Sequence, residues 1–333
     1  MNILLTGGTG YIGSHTAVAM MRAGHNVVLL DNLSNSSKEV VHRLEKILGT
    51  SPHFVQGDIR DIPLVVKTLK EYEIQSVVHF AGLKAVGEST QKPVAYYDNN
   101  VGGTICLLQA MQQAGVKSLI FSSSATVYGV PRYLPLDESH PTSSTNPYGN
   151  TKILIEMLLQ DLSASDPTWR IVNLRYFNPV GAHESGLIGE NPNGIPNNLM
   201  PYITRVACGA LDHLTIHGND YPTPDGTGVR DFIHVMDLAE GHLAAVDFLV
   251  KTNEAFSVFN LGTGRGYSVL EVVEAFQAAS GRPVPYRIGA RRNGDVACCY
   301  ADPAKAERDL HWKATRDLRE MCVSAWRYQA SLA

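Results

Sequence analysis

The sequence predicts an α/β fold: a doubly wound parallel sheet followed by a smaller C-terminal α/β domain. Three observations in the 333 residues carry that prediction. Short apolar strands alternate with amphipathic helices through the first half, the pattern of βαβ units whose parallel sheet is covered on both faces. A glycine-rich turn separates the first strand from the first helix. The pattern breaks after Ile171 to Arg175, where residues 178–198 carry Pro179, Gly181, Gly186, Gly189, Pro192, Gly194 and Pro196 among polar side chains.

In order, strands are expected at Ile3 to Thr6, Val27 to Asp31, His53 to Val55, Val77 to Phe80, Leu119 to Ser122 and Ile171 to Arg175, with the first helix at Ile12 to Ala23. Two further helices, Val94 to Ala114 and Thr151 to Leu162, are apolar on more than one side. The first carries Ile105, Leu107, Leu108 and Met111; the second carries Ile153, Leu154, Ile155, Met157, Leu158 and Leu159. One face covers the sheet and the other needs a second surface, which a two-fold mate would supply, so a homodimer is expected. Residues 178–198 read as a long ordered loop or a boundary. Beyond them come helices near Val235 to Val250 and Val269 to Ser280, a strand near Ser257 to Leu261, and an irregular stretch from Gly289 to Cys299. Residues 1–177 are expected to form a dinucleotide-binding domain and 178–333 mainly a substrate-binding domain, some of whose strands and helices return to the first.

The composition, 44% hydrophobic and 18% charged with a formal charge of -4, is that of an ordinary globular chain. It has no basic stripe to follow a phosphodiester backbone, so nucleic acid is not expected as a partner. No apolar run reaches bilayer-spanning length and Met1 to Thr6 is too short for a signal-peptide core, so a cytoplasmic protein without a membrane partner is expected. Cys106, Cys208, Cys298, Cys299 and Cys322 are odd in number and lack C-x-x-C spacing, which argues against a disulfide framework and structural zinc. His213 and His217 have the spacing of a helical metal pair. Leu214-Thr215-Ile216 reads as strand, however, which would set them roughly 13 Å apart, and no metal is expected.

The glycine turn, Thr6-Gly7-Gly8-Thr9-Gly10-Tyr11-Ile12-Gly13, follows an apolar strand and opens a helix. Gly7, Gly10 and Gly13 there permit a tight turn and let a pyrophosphate approach backbone N–H groups at a helix start. Asp31 ends the next strand, where a carboxylate accepts hydrogen bonds from the adenosine ribose hydroxyls and repels an extra phosphate. NAD is therefore expected rather than NADP. Read more plainly, Asp31 could be a solvated helix cap.

Farther along, Tyr148-Gly149-Asn150-Thr151-Lys152 sets a phenol and an ammonium four residues apart, on one face of a helix starting near Thr151. They follow Ser122-Ser123-Ser124 at the end of a strand, the edge at which α/β sheets bind ligands. A phenol has a pKa of about 10, so a base working near neutrality needs a neighbouring cation, which Lys152 can supply.

With these residues in place the chain resembles the extended short-chain dehydrogenase/reductase family and, within it, the UDP-galactose 4-epimerases. The resemblance runs over nearly the whole length. It is carried by Gly7 to Gly13, Gly57-Asp58-Ile59, His79 to Ser89, Ser122 to Gly129, Arg175-Tyr176-Phe177-Asn178-Pro179 and Gly228-Val229-Arg230-Asp231. It implies a Rossmann-type fold in which Tyr148 takes the proton from the sugar 4-hydroxyl. Lys152 then binds the nicotinamide ribose and lowers the Tyr148 pKa, and Ser124 bonds the reacting oxygen. For NAD, the resemblance implies contacts from Tyr11 and Ile12 at the turn, and from Asp31, Asn32, Asp58 and Ile59 around the adenosine. Phe80, Ala81, Gly82, Lys84, Asn99, Ser122 and Phe177 line the rest, Phe80 and Phe177 walling the nicotinamide pocket. For the UDP-sugar it implies Asn178, Asn198 and Leu199, then Thr215, Ile216 and His217, then Arg230, Arg292, Asp295 and Cys299, besides Lys84, Ser124 and Tyr148. Two arginines suit a diphosphate, since a guanidinium offers paired planar donors.

The reaction so implied is reversible inversion at C4 of a UDP-hexose. Hydride leaves C4 for NAD, which stays bound as a prosthetic group, as Tyr148 takes the hydroxyl proton. A 4-keto sugar and NADH form, and the sugar turns about its pyrophosphate to receive hydride on its other face. Two positions depart from some relatives. Cys299 stands where those restricted to unmodified hexoses carry tyrosine, which predicts room for a 2-acetamido group and conversion of UDP-GalNAc and UDP-GlcNAc too. His217 stands where some carry phenylalanine beside uracil. The nearest rival is a nucleotide-sugar 4,6-dehydratase or decarboxylase. Dehydratases commonly carry Asp-Glu where this chain has Ala125-Thr126. A non-catalytic NAD-binding regulator is the other rival, and such proteins typically lose the reactive Ser, Tyr and Lys that this chain keeps.

Overall fold

The computed structural model describes residues 1–192, 194, 196–292 and 294–332. Its first half contains β1 (Asn2–Thr6), α1 (Tyr11–Arg22), β2 (Asn26–Asp31), α2 (Glu39–Leu48), β3 (His53–Gln56), α3 (Ile62–Glu71), β4 (Ser76–His79), α4 (Val86–Gln91), α5 (Pro93–Tyr96), α6 (Gly103–Ala114), β5 (Ser118–Ser124), α7 (Pro147–Ser165) and β6 (Arg170–Tyr176). The second half adds β7 (Asn178–Val180), α8 (Leu199–Ala207), β8 (Leu214–His217), β9 (Val229–His234), α9 (Val235–Lys251), β10 (Phe256–Leu261), β11 (Gly266–Ser268), α10 (Val269–Ser280), β12 (Tyr286–Gly289), β13 (Cys298–Cys299), α11 (Ala304–Asp309) and α12 (Leu318–Ala330).

Seven parallel strands form the main sheet in the order β10-β6-β5-β4-β1-β2-β3. Its faces follow from the period of two. Ile3 and Leu5 of β1 pack with Val18 and Met20 of α1 and Leu238 of α9, whereas Leu4 packs with Val65 of α3 and Leu107 of α6. Each such side chain removed from water contributes about 1.5–3 kcal/mol, so a slip of one residue would forfeit both faces together. The strand order reverses between β1 and β4, which opens a crevice at their carboxyl ends. Residues beyond 178 also complete this layer, since β10 extends the sheet beside β6 and α9 packs in the same core as α1.

A second body holds a four-stranded sheet of β11, β9, β13 and β7 and a two-stranded pair of β12 and β8. Its core joins Ile203 and Val206 of α8, Ile216, Phe232, Val273 and Phe276 of α10, and Met321 of α12.

Several segments differ from the sequence expectation. The helix expected over Val94 to Ala114 is broken by a π-turn at Tyr97–Gly102. The wider turn lets the Asn100 side chain bond both Leu83 N and Leu83 O, and Thr151 Oγ1, while α6 still lays Leu107 and Met111 on the core. α7 begins at Pro147 rather than Thr151, because Asn146 caps it through Gly149 N at 2.9 Å and proline suits the first turn. The expected loop over 178–198 opens with β7, and the irregular stretch 289–299 ends in β13. Both are short strands recruited by β9.

Candidate active site

At the carboxyl end of β1 the chain turns back on itself with Gly7 at φ +67°, where any Cβ would lie 2.8 Å from Ala81 N. Gly13 is equally constrained, since its Cβ would stand 2.4 Å from Gly7 O. Gly10 precedes α1 and gives it no side-chain cap, so the first N–H groups of the helix face the crevice free for an anion. Asp31 is buried beside this turn. Its carboxylate accepts from Thr9 N at 3.1 Å, Leu33 N at 2.8 Å and Ser36 Oγ at 3.0 Å, and it caps no helix. Next to it Asn32 donates to Asp58 at 3.0 Å, and Arg60 grips Asp58 with two bonds of 2.9 Å. The Arg60 guanidinium holds the Asp58 carboxyl well below its ordinary range. Ile59 is buried beneath Gly103. A cradle that only glycine fits, an uncapped helix start and a carboxylate at the end of β2 together fit a dinucleotide.

Other expected cofactor positions are spread around this cradle. Ala81 N donates to Thr6 Oγ1 at 3.3 Å, Gly82 approaches the Asn100 amide, and Asn99 bonds that same amide at 3.0 Å. Tyr11 spends its hydroxyl on Gly181 O at 2.7 Å, tying α1 to the loop after β7, and Ile12 packs on the core. Phe80 lies 4.9 Å from the His242 ring of α9, and Phe177 is buried with Val127, Tyr128, Leu136 and Ala301.

Ser124, Tyr148 and Lys152 come together at the end of β5. Starting α7 at Pro147 puts Tyr148 in its first turn and Lys152 one turn on, with both facing the sheet. Lys152 is buried, donates to Ser122 O at 2.6 Å, and lies 4.7 Å from the Phe121 ring and 5.8 Å from the Tyr148 ring. Burial pulls its ammonium down to about 8, opposed by the Glu156 carboxylate. The Ser124 hydroxyl accepts from Thr126 N at 3.2 Å and from Thr126 Oγ1 at 3.0 Å. Burial raises the Tyr148 phenol above its ordinary value and the Ser124 hydroxyl pulls it back, while the Lys152 ammonium donates to Ser122 O beside it.

Most positions expected for a UDP-sugar lie on the elements of the second body, a second wall of short strands and loops. Asn178 opens β7 and is exposed; Asn198 and Leu199 begin α8. On β8, Thr215 and His217 face outward, while Ile216 turns into the core and leaves only its backbone for a ligand. His217 Nδ1 lies 3.2 Å from Ala290 O. Arg230 stands on β9 opposite Cys299 of β13, with Asp295 at 3.9 Å. Arg291 is committed to Asp220 at 2.7 Å and stacks on Tyr221 at 4.1 Å, and Arg292 beside it is exposed.

Sequence reasoning missed two carboxylates. Glu190 accepts from Lys84 at 2.8 Å and from Asn198 at 2.7 Å, bridging the two walls. Nothing in its loop sequence announces this. Glu156 lies four residues past Lys152 on α7, a spacing that places it on the catalytic face.

The chain has close relatives. Residues 4–324 match the family described as GDP-mannose 4,6 dehydratase. Over 331 residues the chain is 56% identical to the UDP-glucose 4-epimerase of Bacillus subtilis, covering 99% of this chain and 97% of that one. The crystal structure of a Stenotrophomonas maltophila UDP-glucose 4-epimerase, with bound NAD and formylated UDP-arabinopyranose, matches at TM-score 0.98 and 52% identity, covering 100% of this chain and 98% of that one. That of a Bifidobacterium longum UDP-glucose 4-epimerase, in complex with NAD+ and UDP, matches at TM-score 0.96 and 52% identity, covering 99% and 98%.

Proposed function

The chain belongs to the UDP-glucose 4-epimerases of the extended short-chain dehydrogenase/reductase family, and from that premise we propose that Tyr148 is the acid–base group of its reaction. The enzyme uses NAD and reversibly inverts C4 of UDP-hexoses. The observation that carries the residue assignment is the convergence of Ser124, Tyr148 and Lys152 at the sheet edge facing the glycine turn. When bound, NAD supplies the hydride acceptor and a positively charged pyridinium ring. Tyr148 accepts the 4-hydroxyl proton as hydride leaves C4 and returns it after the 4-keto sugar has turned. Its phenol, raised by burial, needs positive charge to ionise, and below about pH 8 Lys152 provides part of it. Ser124 bonds the reacting oxygen. Gly7, Gly10 and Gly13 seat the cofactor diphosphate and Asp31 its adenosine ribose. Arg230 and Arg292 hold the UDP diphosphate between them, with Asn178 and Asn198 beside it, so that the nucleotide stays fixed while the hexose turns.

The 4,6-dehydratase alternative fails on one feature. Ala125 and Thr126 lie in the 3₁₀ turn directly after Ser124, where the acid and base for water elimination would stand. A regulator without activity is disfavoured by the intact Ser-Tyr-Lys arrangement. For substrate range, Cys299 lies across from Arg230 and packs near Phe177, which supports a small residue at the sugar end and acceptance of 2-acetamido hexoses. Val94, Ile105, Leu154 and Met157 are exposed on α5, α6 and α7, which supports a homodimer through these helices. A cytoplasmic location is supported by five free cysteines, and no helix among the described residues is long and apolar enough to cross a membrane. The test is to incubate the pure protein, without added cofactor, with UDP-galactose and with UDP-GalNAc and follow the epimers by NMR. Conversion of both is expected; no conversion of UDP-galactose would refute the activity, and conversion of UDP-galactose alone would refute the wider range.

A further inference from the structure

We propose that Glu156, with Arg175, is a positioning residue that holds Lys152 in place and in its charged form beneath Tyr148. The inference rests on the reading of Tyr148 and Lys152 just given. Tyr148, Lys152 and Glu156 recur every four residues on α7 and so share one face, turned toward the ends of β5 and β6. The Glu156 side chain is 9% exposed and that of Arg175 is 7% exposed. A buried carboxylate persists only when its oxygens are fully engaged. Here Oε1 accepts from Ser123 Oγ at 2.5 Å and from Arg175 Nε at 3.1 Å, and Oε2 accepts from Arg175 at 2.6 Å. Arg175 is in turn fixed by Tyr128 Oη at 3.1 Å and Glu138 O at 3.3 Å. Ser123 lies between Ser122, whose carbonyl receives the Lys152 ammonium, and Ser124. Glu156 therefore fastens the strand segment that supplies both the acceptor for Lys152 and the hydroxyl beside Tyr148.

The charges around Lys152 point the same way. Its own helix offers Tyr148 and Glu156. β4 offers His79, which burial brings down to about 3 and so keeps neutral, and β5 offers the Phe121 ring. β6 offers Tyr176, a buried phenol raised well above its ordinary value, and Arg175, which is spent on Glu156. Among these groups Glu156 is the anion, and it opposes the burial that lowers the Lys152 ammonium.

The two halves of the ion pair should act on Lys152 with opposite sign, which a purely structural link between α7 and β6 would not do. The experiment measures the pH dependence of kcat/KM for UDP-galactose on NAD-loaded enzyme, with thermal stability and NAD content, for Glu156→Gln, Arg175→Met and Tyr148→Phe. Glu156→Gln leaves the Arg175 cation uncompensated, so the alkaline limb moves to lower pH by about one unit. Arg175→Met leaves the anion and moves that limb to higher pH. Both limbs staying at the wild-type position would overturn the proposal, whatever the loss of stability. Should Glu156→Gln fail to fold, the Arg175→Met limb decides alone, upward supporting the proposal and unmoved overturning it. Near-normal turnover by Tyr148→Phe would instead mean that the reading of the site is wrong, a failure distinct from unmoved limbs in an enzyme that needs Tyr148.

Discussion

The glycine turn on β1 and the wall made by β7, β8, β9 and β13 belong to different sheets, and each is proposed to hold a diphosphate. They are built in opposite ways. The turn is one contiguous piece, Thr6 to Gly13, closed by backbone bonds such as Gly7 N to Leu30 O at 2.8 Å and Gly10 N to Gly7 O at 3.1 Å. It presents N–H groups and admits no side chain at Gly7 or Gly13, where a Cβ would meet backbone at 2.8 and 2.4 Å. The second wall is assembled from residues between Asn178 and Cys299, brought together by short strands that pair with β9 and by a loop pinned through Arg291 to Asp220. It presents long side chains, Arg230 and Arg292, on a frame with little local structure of its own. A rigid backbone cradle suits a cofactor that stays; guanidinium groups on an assembled frame suit a nucleotide that must enter, anchor and leave.

The contrast yields predictions in decreasing order of effect. Tyr148→Phe should keep fold and bound NAD while lowering kcat about a thousandfold, the scale of a lost acid–base group; turnover by coupled assay checks it. Gly13→Ala should cost about 3 kcal/mol at the rigid wall, since a Cβ 2.4 Å from Gly7 O must force the turn apart. NAD content after gel filtration should then fall about a hundredfold, and an unchanged content would break the idea that the turn admits no side chain at Gly13. Arg230→Ala acts on the assembled wall and should raise KM for UDP-galactose about thirtyfold with a smaller change in kcat, because the lost charged bonds serve binding. Equal loss in both parameters would place Arg230 in the chemistry instead. Cys299→Tyr should reduce kcat/KM for UDP-GalNAc about tenfold while sparing UDP-galactose.

The smallest effect comes from pH. Burial lowers His15, His79 and His234 to about 3 and His242 to about 4, so all four are neutral in the folded protein. Their folded values lie below the unfolded one near 6.5, so the associated stability is complete above that pH and drains as pH falls toward the folded values. The melting temperature should therefore fall by several degrees between pH 7 and pH 5, and a flat profile would contradict it.

The same contrast governs what could be read from the chain. β1, the turn and Asp31 were legible because strand, glycines, helix and carboxylate are neighbours in sequence. Tyr148 and Lys152 were legible because one helical turn joins them. The start of α7 was misplaced although Asn146 and Pro147 carry a cap-and-proline signal, which was overlooked. The π-turn at Tyr97–Gly102 had no local signature, since it arises from bonds that Asn100 makes to Leu83 and Thr151. β7, β12 and β13 are three-, four- and two-residue strands whose pairing is decided by distant partners. Alternation along β8 turns the Ile216 side chain inward, which leaves its backbone for the expected ligand contact. The raised Tyr148 phenol was also out of reach of the sequence, which shows the neighbouring ammonium but not the burial that raises the phenol.

At the centre stands hydride removal from C4 and its return to the same carbon from the other side, without exchange with water. UDP-galactose deuterated at C4, incubated with the enzyme in ordinary water, tests this most directly when the product is read by NMR. UDP-glucose should carry the full deuterium label at C4. Loss of that label to solvent would contradict the mechanism.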